Sequence, residues 1–179
     1  MDTLHRREDA RQLLALVAEE YWGLSPLPEL RRAPLGKPYL LHHPDRHFNL
    51  SHSGPYALCA LDHGPVGVDI QICKPWQPRL PQRVCSPAQL AWLEAQPDPT
   101  MGFTVLWALK EARVKQSGLG LRQELREIAV PLPVHWGDPS PLDGLWFRVW
   151  TGPDWAAAAC GSQPPPPQIQ WRSVPPTII

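Results

Sequence analysis

A chain of 179 residues with 43% apolar content is long enough for one domain or for two small lobes sharing a core. Its 17 basic residues balance 17 acidic ones, which argues against a general nucleic-acid or anionic-membrane binder. Cys59, Cys73, Cys85 and Cys160 form no C-x-x-C pair, the first ten residues are charged, and no apolar run spans a bilayer, so the expectation is a cytoplasmic protein with reduced thiols and no secretory signal.

Residues 6–22 read as an amphipathic helix, with Ala10, Leu14, Val17 and Tyr21 at three- and four-residue spacing. Ser25-Pro26 and Pro28 stop it. Residues 29–47 read as loop with a short strand, turning at Gly36-Lys37-Pro38. The segment 48–54, FNLSHSG, reads as a polar turn ahead of a strand. Residues 56–61 and 66–72 are apolar runs around Asp62-His63-Gly64-Pro65, a strand–turn–strand pattern. Ser86, Pro87 and Gln89 form a capping box that opens a short helix to about Ala95. Asp98-Pro99 opens a longer one, to Gln116, which stops near Gly118 and Gly120. Residues 127–132, 145–150 and 155–160 read as strands, the last two a hairpin, and the Pro-rich 162–179 as an extended or mobile tail. The order is α+β rather than a βαβ alternation.

Three segments carry candidate chemistry. In WALKEARVK (107–115), Trp107, Glu111, Val114 and Lys115 share one helix face. The plain reading is a surface Glu111–Lys115 pair worth roughly 0.3–0.5 kcal/mol; the functional one puts Glu111 on a metal and Lys115 on a phosphate. In 66–71, alternation sends Val66, Val68 and Ile70 one way and Gly67, Asp69 and Gln71 the other. An Asp in such a run either faces water at a strand end or is buried against a partner, of which a cation is one kind. In 48–54, the hydroxyls and imidazole either cap the turn or offer donors to an anion. Ser51-His52 lacks the G-x-S-x-G elbow of a hydrolase, and His42, His43 and His47 read as scattered loop histidines.

Taken together, Gly36-Lys37-Pro38, FNLSHSG at 48–54, GVDIQ at 67–71 and WALKEARVKQSGLGL at 107–121 resemble, in order and spacing, the 4′-phosphopantetheinyl transferase superfamily in its single-chain, pseudo-dimeric branch. The hairpin over 145–160 looks like that family's closing strands, and LSPLP at 24–28 is similar to the bacterial holo-acyl-carrier-protein synthases. The resemblance covers roughly residues 5–161. It implies two similar α+β lobes related by a pseudo-twofold: an N-terminal lobe over 1–63 lacking a first strand, a C-terminal lobe with the metal motifs over 64–161, and the tail 162–179. Either a truncated start, or a divergence in which Arg6 and Arg7 substitute for basic residues that relatives carry earlier, would explain the missing strand.

The resemblance further implies transfer of the phosphopantetheine arm of coenzyme A to a serine of an apo acyl or peptidyl carrier protein, with release of 3′,5′-ADP. Lys37, Ser51, His52 and Arg11 would hold coenzyme A, with His52 on its 3′-phosphate. Asp69 and Glu111 would hold Mg²⁺, joined by Gln71 where the family often has a second acid, so the expected enzyme is active with an altered magnesium requirement. Lys115 would sit beside the pyrophosphate, and Glu111 would be the base, directly or through a water. The expected form is a monomer without nucleic-acid or membrane partners. The alternative is a non-catalytic relative that binds coenzyme A or a carrier protein; Gln71 and the short N-terminus motivate it, and the joint presence of Asp69, Glu111 and Lys115 speaks against it.

Overall fold

The computed structural model describes residues 3–75, 77–120 and 124–173, with backbone alone over 3–9. The side chains of Arg6 and Arg7, together with Leu121 and residues 174–179 of the tail, lie outside the described residues.

The first half packs α1 (Thr3–Trp22) on a hairpin of β3 (His47–Ser53) and β4 (Tyr56–Asp62), beside a small hairpin of β1 (Leu30–Arg32) and β2 (Pro38–Leu40). The buried stripe of α1 is Ala10, Leu14 and Ala18, spaced one turn apart; Tyr21, expected on that stripe, is 53% exposed. Leu14 meets Leu40 and Phe48 in a small core.

The second half is an antiparallel sheet in the order β5 (Gly67–Ile72), β8 (Trp155–Gly161), β7 (Leu145–Thr151), β6 (Ser140–Leu142). On one face lie α2 (Arg79–Val84), α3 (Pro87–Glu94) and α4 (Pro99–Ser117), packed through Leu93, Val105, Leu109 and Ala112 against Phe147, Val149 and Ala158. On the other face Val68, Ile70, Ala157 and Ala159 meet Leu58 of β4. Strand β8 is therefore buried along its whole length, and its run of alanines lets both layers close on it. The α+β class holds, with one long helix on a small antiparallel sheet in each half.

Both expected caps form. Ser86 and Gln89 make the reciprocal capping box, and Asp98 accepts from the N–H groups of Thr100 and Met101. Helix α4 ends at Gly118 in the left-handed conformation, φ 70°.

Two expectations change. FNLSHS is strand β3, not a turn: each of its residues faces one on β4. Its polar residues look turn-like in composition, but Asn49, Ser51 and Ser53 lie on one face of the pleat, where their oxygens accept the N–H groups of Val68, Ile70 and Ile72 at 2.9, 3.2 and 3.0 Å. The β8 ladder occupies one edge of β5, and this side-chain ladder satisfies N–H groups on the other. The second change concerns 127–132, which is a 3₁₀ turn (Leu125–Glu127) followed by irregular chain. Ile128 and Val130 still enter the core, but the carbonyls of Ile128 and Ala129 bond to the side chains of Gln89, Lys110 and Arg113 instead of to a strand.

Beyond β8 the tail runs back over the molecule. The carbonyls of Pro165 and Pro167 accept from Arg148 Nε at 2.8 Å and Trp150 Nε1 at 3.0 Å. Ile169 packs on the β4–β5–β8 core, and Trp171 meets Tyr56 and Trp155 edge-on. Arg172 and Gln170 then reach Glu20 and Tyr21 of α1.

Candidate active site

Asp69 sits mid-strand in β5, on the face covered by α4, with its side chain 2% exposed. Gly67, one pleat earlier, sets how closely the helix approaches. A Cβ there would run into the Ala112 carbonyl and come within 2.9 Å of Gln116 Cα, so only glycine lets α4 lie this close. The approach brings Glu111 and Lys115, one helical turn apart, to the buried carboxylate.

Asp69 is held on both oxygens. Lys115 Nζ and the Ser51 hydroxyl each donate to Oδ1 at 2.6 Å, and the Gln71 amide donates to Oδ2 at 2.7 Å. Ser51 in turn accepts the Ile70 N–H. This answers the question posed by an acid in an apolar run: Asp69 faces no water, and a cation partners it. The surface Glu111–Lys115 pair that the spacing offers does not form, because Lys115 reaches across to a carboxylate that water cannot stabilise. Glu111 is half-buried, and its carboxyl is pushed up by burial first and by the neighbouring Asp69 charge second, against the pull of Lys115.

The structure thus brings Ser51, Asp69, Gln71, Glu111 and Lys115 together. Lys37 lies elsewhere: its Nζ donates to the carbonyls of Gln116, at the end of α4, and of Val66, at 2.9 and 3.1 Å. Burial there pushes the Lys37 ammonium down. Strand alternation sends His52 to the face of β3 opposite Ser51, where it is half-buried. Arg11 is exposed on α1.

Sequence reasoning missed Asn49, Ser53 and Lys110. The first two were signalled by polar residues at period two beside apolar Phe48 and Leu50. Lys110 is 1% exposed and donates to the carbonyls of Val84, Leu125 and Ile128, fixing the chain around α4 one residue before Glu111. A cavity of about 150 Å³ opens beside Gln71, lined also by Lys74, Leu80, Phe103, Thr104 and Trp107.

Among the described residues no three His, Cys, Asp or Glu side chains gather closely enough to hold a metal alone. Mg²⁺ asks less: one or two carboxylates, completed by waters and substrate phosphates. Asp69 and Glu111 meet that minimum, with the Gln71 amide oxygen as a weaker third donor. The Lys115 ammonium, 2.6 Å from Asp69, already stands where a cation is stabilised. The residues present fit the ion.

Comparison with known proteins agrees with these motifs. A 4′-phosphopantetheinyl transferase of Bacillus subtilis is 38% identical over 131 residues, covering 72% of this chain and 58% of the relative. The transferase AcpT of Salmonella typhimurium is 42% identical over 102 residues, covering 54% and 53%. The chain therefore spans little more than half the length of these relatives. The solved holo-[acyl-carrier-protein] synthase of Thermotoga maritima aligns over 54% of this chain and 61% of its own, at 16% identity and a TM-score of 0.42. The family model of the 4′-phosphopantetheinyl transferase superfamily matches residues 65–161, a span that holds Asp69, Gln71, Glu111 and Lys115. That match runs from β5 through α4 to the closing hairpin, and by it the chain belongs to the 4′-phosphopantetheinyl transferase superfamily.

Proposed function

We propose that the protein transfers the 4′-phosphopantetheine arm of coenzyme A to a serine of an apo acyl or peptidyl carrier protein, acting as a monomer in the cytoplasm. The observation that carries the reading is the buried Asp69, paired with Lys115 and flanked by Glu111 on the helix that Gly67 admits.

In the proposed reaction the serine oxygen forms a bond to the β-phosphorus. The bond from that phosphorus to the bridging oxygen breaks, and 3′,5′-ADP leaves with that oxygen and its electron pair. Asp69 and Glu111, with Gln71, would hold Mg²⁺, which when bound neutralises the phosphates as a Lewis acid and template. The Lys115 ammonium adds positive charge beside the leaving phosphate. Glu111 accepts the serine proton, directly or through a water; its raised pKa suits a base near neutral pH better than an ordinary carboxylate. His52 and Arg11, carried by the first half, are the groups proposed for the 3′-phosphate and nucleotide. Lys37 and Ser51 are proposed to support the site from behind, through their bonds to the end of α4 and to Asp69.

The test is the intact mass of an apo carrier protein after incubation with this protein, coenzyme A and Mg²⁺. The expected result is a gain of one phosphopantetheine arm, absent with Glu111→Ala and absent without metal. No gain on fatty-acid, polyketide and peptide-synthetase carriers, from folded protein that still binds coenzyme A, overturns the reading. The second reading, a relative that binds without transferring, would then take its place; the amide of Gln71 on Asp69 Oδ2, where an acid would add a ligand, is what favours it.

A further inference from the structure

We propose that Lys115 is the counter-cation of Asp69 in the free protein, and that it leaves Asp69 for the pyrophosphate only as the divalent cation arrives. Cation and coenzyme A then load together, each weakly without the other. The inference rests on the transferase reading above and adds an order to it.

Asp69 has no oxygen without a donor: Oδ1 takes Lys115 and Ser51, and Oδ2 takes Gln71. Both acceptor sites of Oδ1 are taken, so a divalent cation binding to that oxygen must displace Lys115 or Ser51. Ser51 is fixed from two sides, as it also accepts the Ile70 N–H and belongs to the ladder between β3 and β5. Gln71 is a neutral amide on the other oxygen, so it does not repel a cation at Oδ1 and need not leave. Lys115 has a long flexible stem, a side chain 26% exposed against 2% for its partner, and, once coenzyme A is present, a second anion within its reach.

Charge requires the exchange. An ammonium 2.6 Å from Oδ1 would lie within about 4 Å of a divalent ion on the same oxygen, where repulsion between them is severe in a poorly solvated site. The other anion near, Glu111, is itself proposed to hold the metal, so without a further anion Lys115 stays on Asp69 and opposes the metal. The pyrophosphate supplies that anion, and reciprocity of linkage makes the metal raise the affinity for coenzyme A by the same factor.

Mn²⁺, read by its electron paramagnetic resonance signal, reports binding without turnover. The wild-type chain without coenzyme A is expected to bind Mn²⁺ weakly. Lys115→Met is expected to bind it more tightly, by about tenfold, a typical size for coupled sites. Coenzyme A is expected to tighten Mn²⁺ binding to the wild type strongly and to Lys115→Met much less. If Lys115→Met does not give a cooperative thermal transition, Lys115→Gln keeps an amide donor for Asp69 without the charge and is read in the same way. Equal Mn²⁺ affinity of wild type and variant without coenzyme A overturns the exchange while leaving the transferase reading intact. Equal Mn²⁺ binding by wild type and Asp69→Asn with coenzyme A present overturns the metal site itself, and both proposals with it.

Discussion

The two edges of β5 are satisfied in different ways. Toward β8 the strand makes an antiparallel backbone ladder, Gly67 opposite Cys160 through Ile72 opposite Trp155, which any residue except proline can support. Toward β3 the acceptors for Val68, Ile70 and Ile72 are the side chains of Asn49, Ser51 and Ser53. The first edge is indifferent to sequence beyond packing; the second exists only because three particular residues repeat at period two. The difference teaches why a strand inside the first half reads as a motif while β8 reads as a run of small apolar residues. It also shows how the site is aimed, since the middle rung of the side-chain ladder is the hydroxyl that holds Asp69.

The comparison predicts unequal costs. The double variant Asn49→Ala, Ser53→Ala leaves the Val68 and Ile72 N–H groups without acceptors. At about 1–3 kcal/mol for an unpaired buried group, and less for the half-buried Ile72 than for the buried Val68, it is expected to cost roughly 2–5 kcal/mol in urea unfolding; a cost below that of one such group would show that the seam is not held by these bonds. Ser51→Ala is expected to cost about 1–3 kcal/mol by the same argument, and additionally to weaken Mn²⁺ binding in the presence of coenzyme A. Ser51→Thr, which keeps the oxygen, should restore both. On the opposite edge, Cys160→Ala removes a buried thiol but no ladder bond, and about 1 kcal/mol or less is expected, a small packing loss. That thiol, pushed up to about 12 by burial, is also expected to resist alkylation in the folded protein.

Glu111→Gln provides the smallest effect, and one of opposite sign. Because burial and the Asp69 charge raise the folded pKa of Glu111, the folded state holds a proton that the unfolded state has lost. Wild-type stability should therefore fall as pH rises from the ordinary carboxylate value through the raised one. The amide variant should lack that fall and melt slightly higher at neutral pH, while losing transfer. A variant that melts no higher would show that the Glu111 carboxylate is not destabilising in the free protein.

What was legible in the sequence was local. The capping box at Ser86 and Gln89 and the Asp98 cap depend on residues within three positions of each other, and both form as read. The burial parity of β5 was legible as well, because Val68 and Ile70 alternate with Asp69. The pairing of that Asp was not: Lys115 is 46 residues away and Ser51 18, and the i,i+4 rule pointed Lys115 at Glu111 instead. Polar composition disguised β3, since nothing in Asn49, Ser51 and Ser53 says that their acceptor oxygens face another strand. Residues 127–132 carried a strand's composition, yet β7 has β6 at that edge, and side chains took the carbonyls of 128 and 129. Lys37, Ser51, His52 and Arg11 were grouped through resemblance alone; in the fold only Ser51 bonds within the Asp69 cluster.

The docked tail bears on how this chain behaves when it is cut. Proteolysis near Ser162 would release the segment whose Ile169 and Trp171 lie over Tyr56 and Trp155, and whose carbonyls occupy Arg148 and Trp150. Three aromatic rings would then share one uncovered face, the sort of patch on which proteins self-associate. A shortened version would fail first in solubility, well before the cluster around Asp69 had moved.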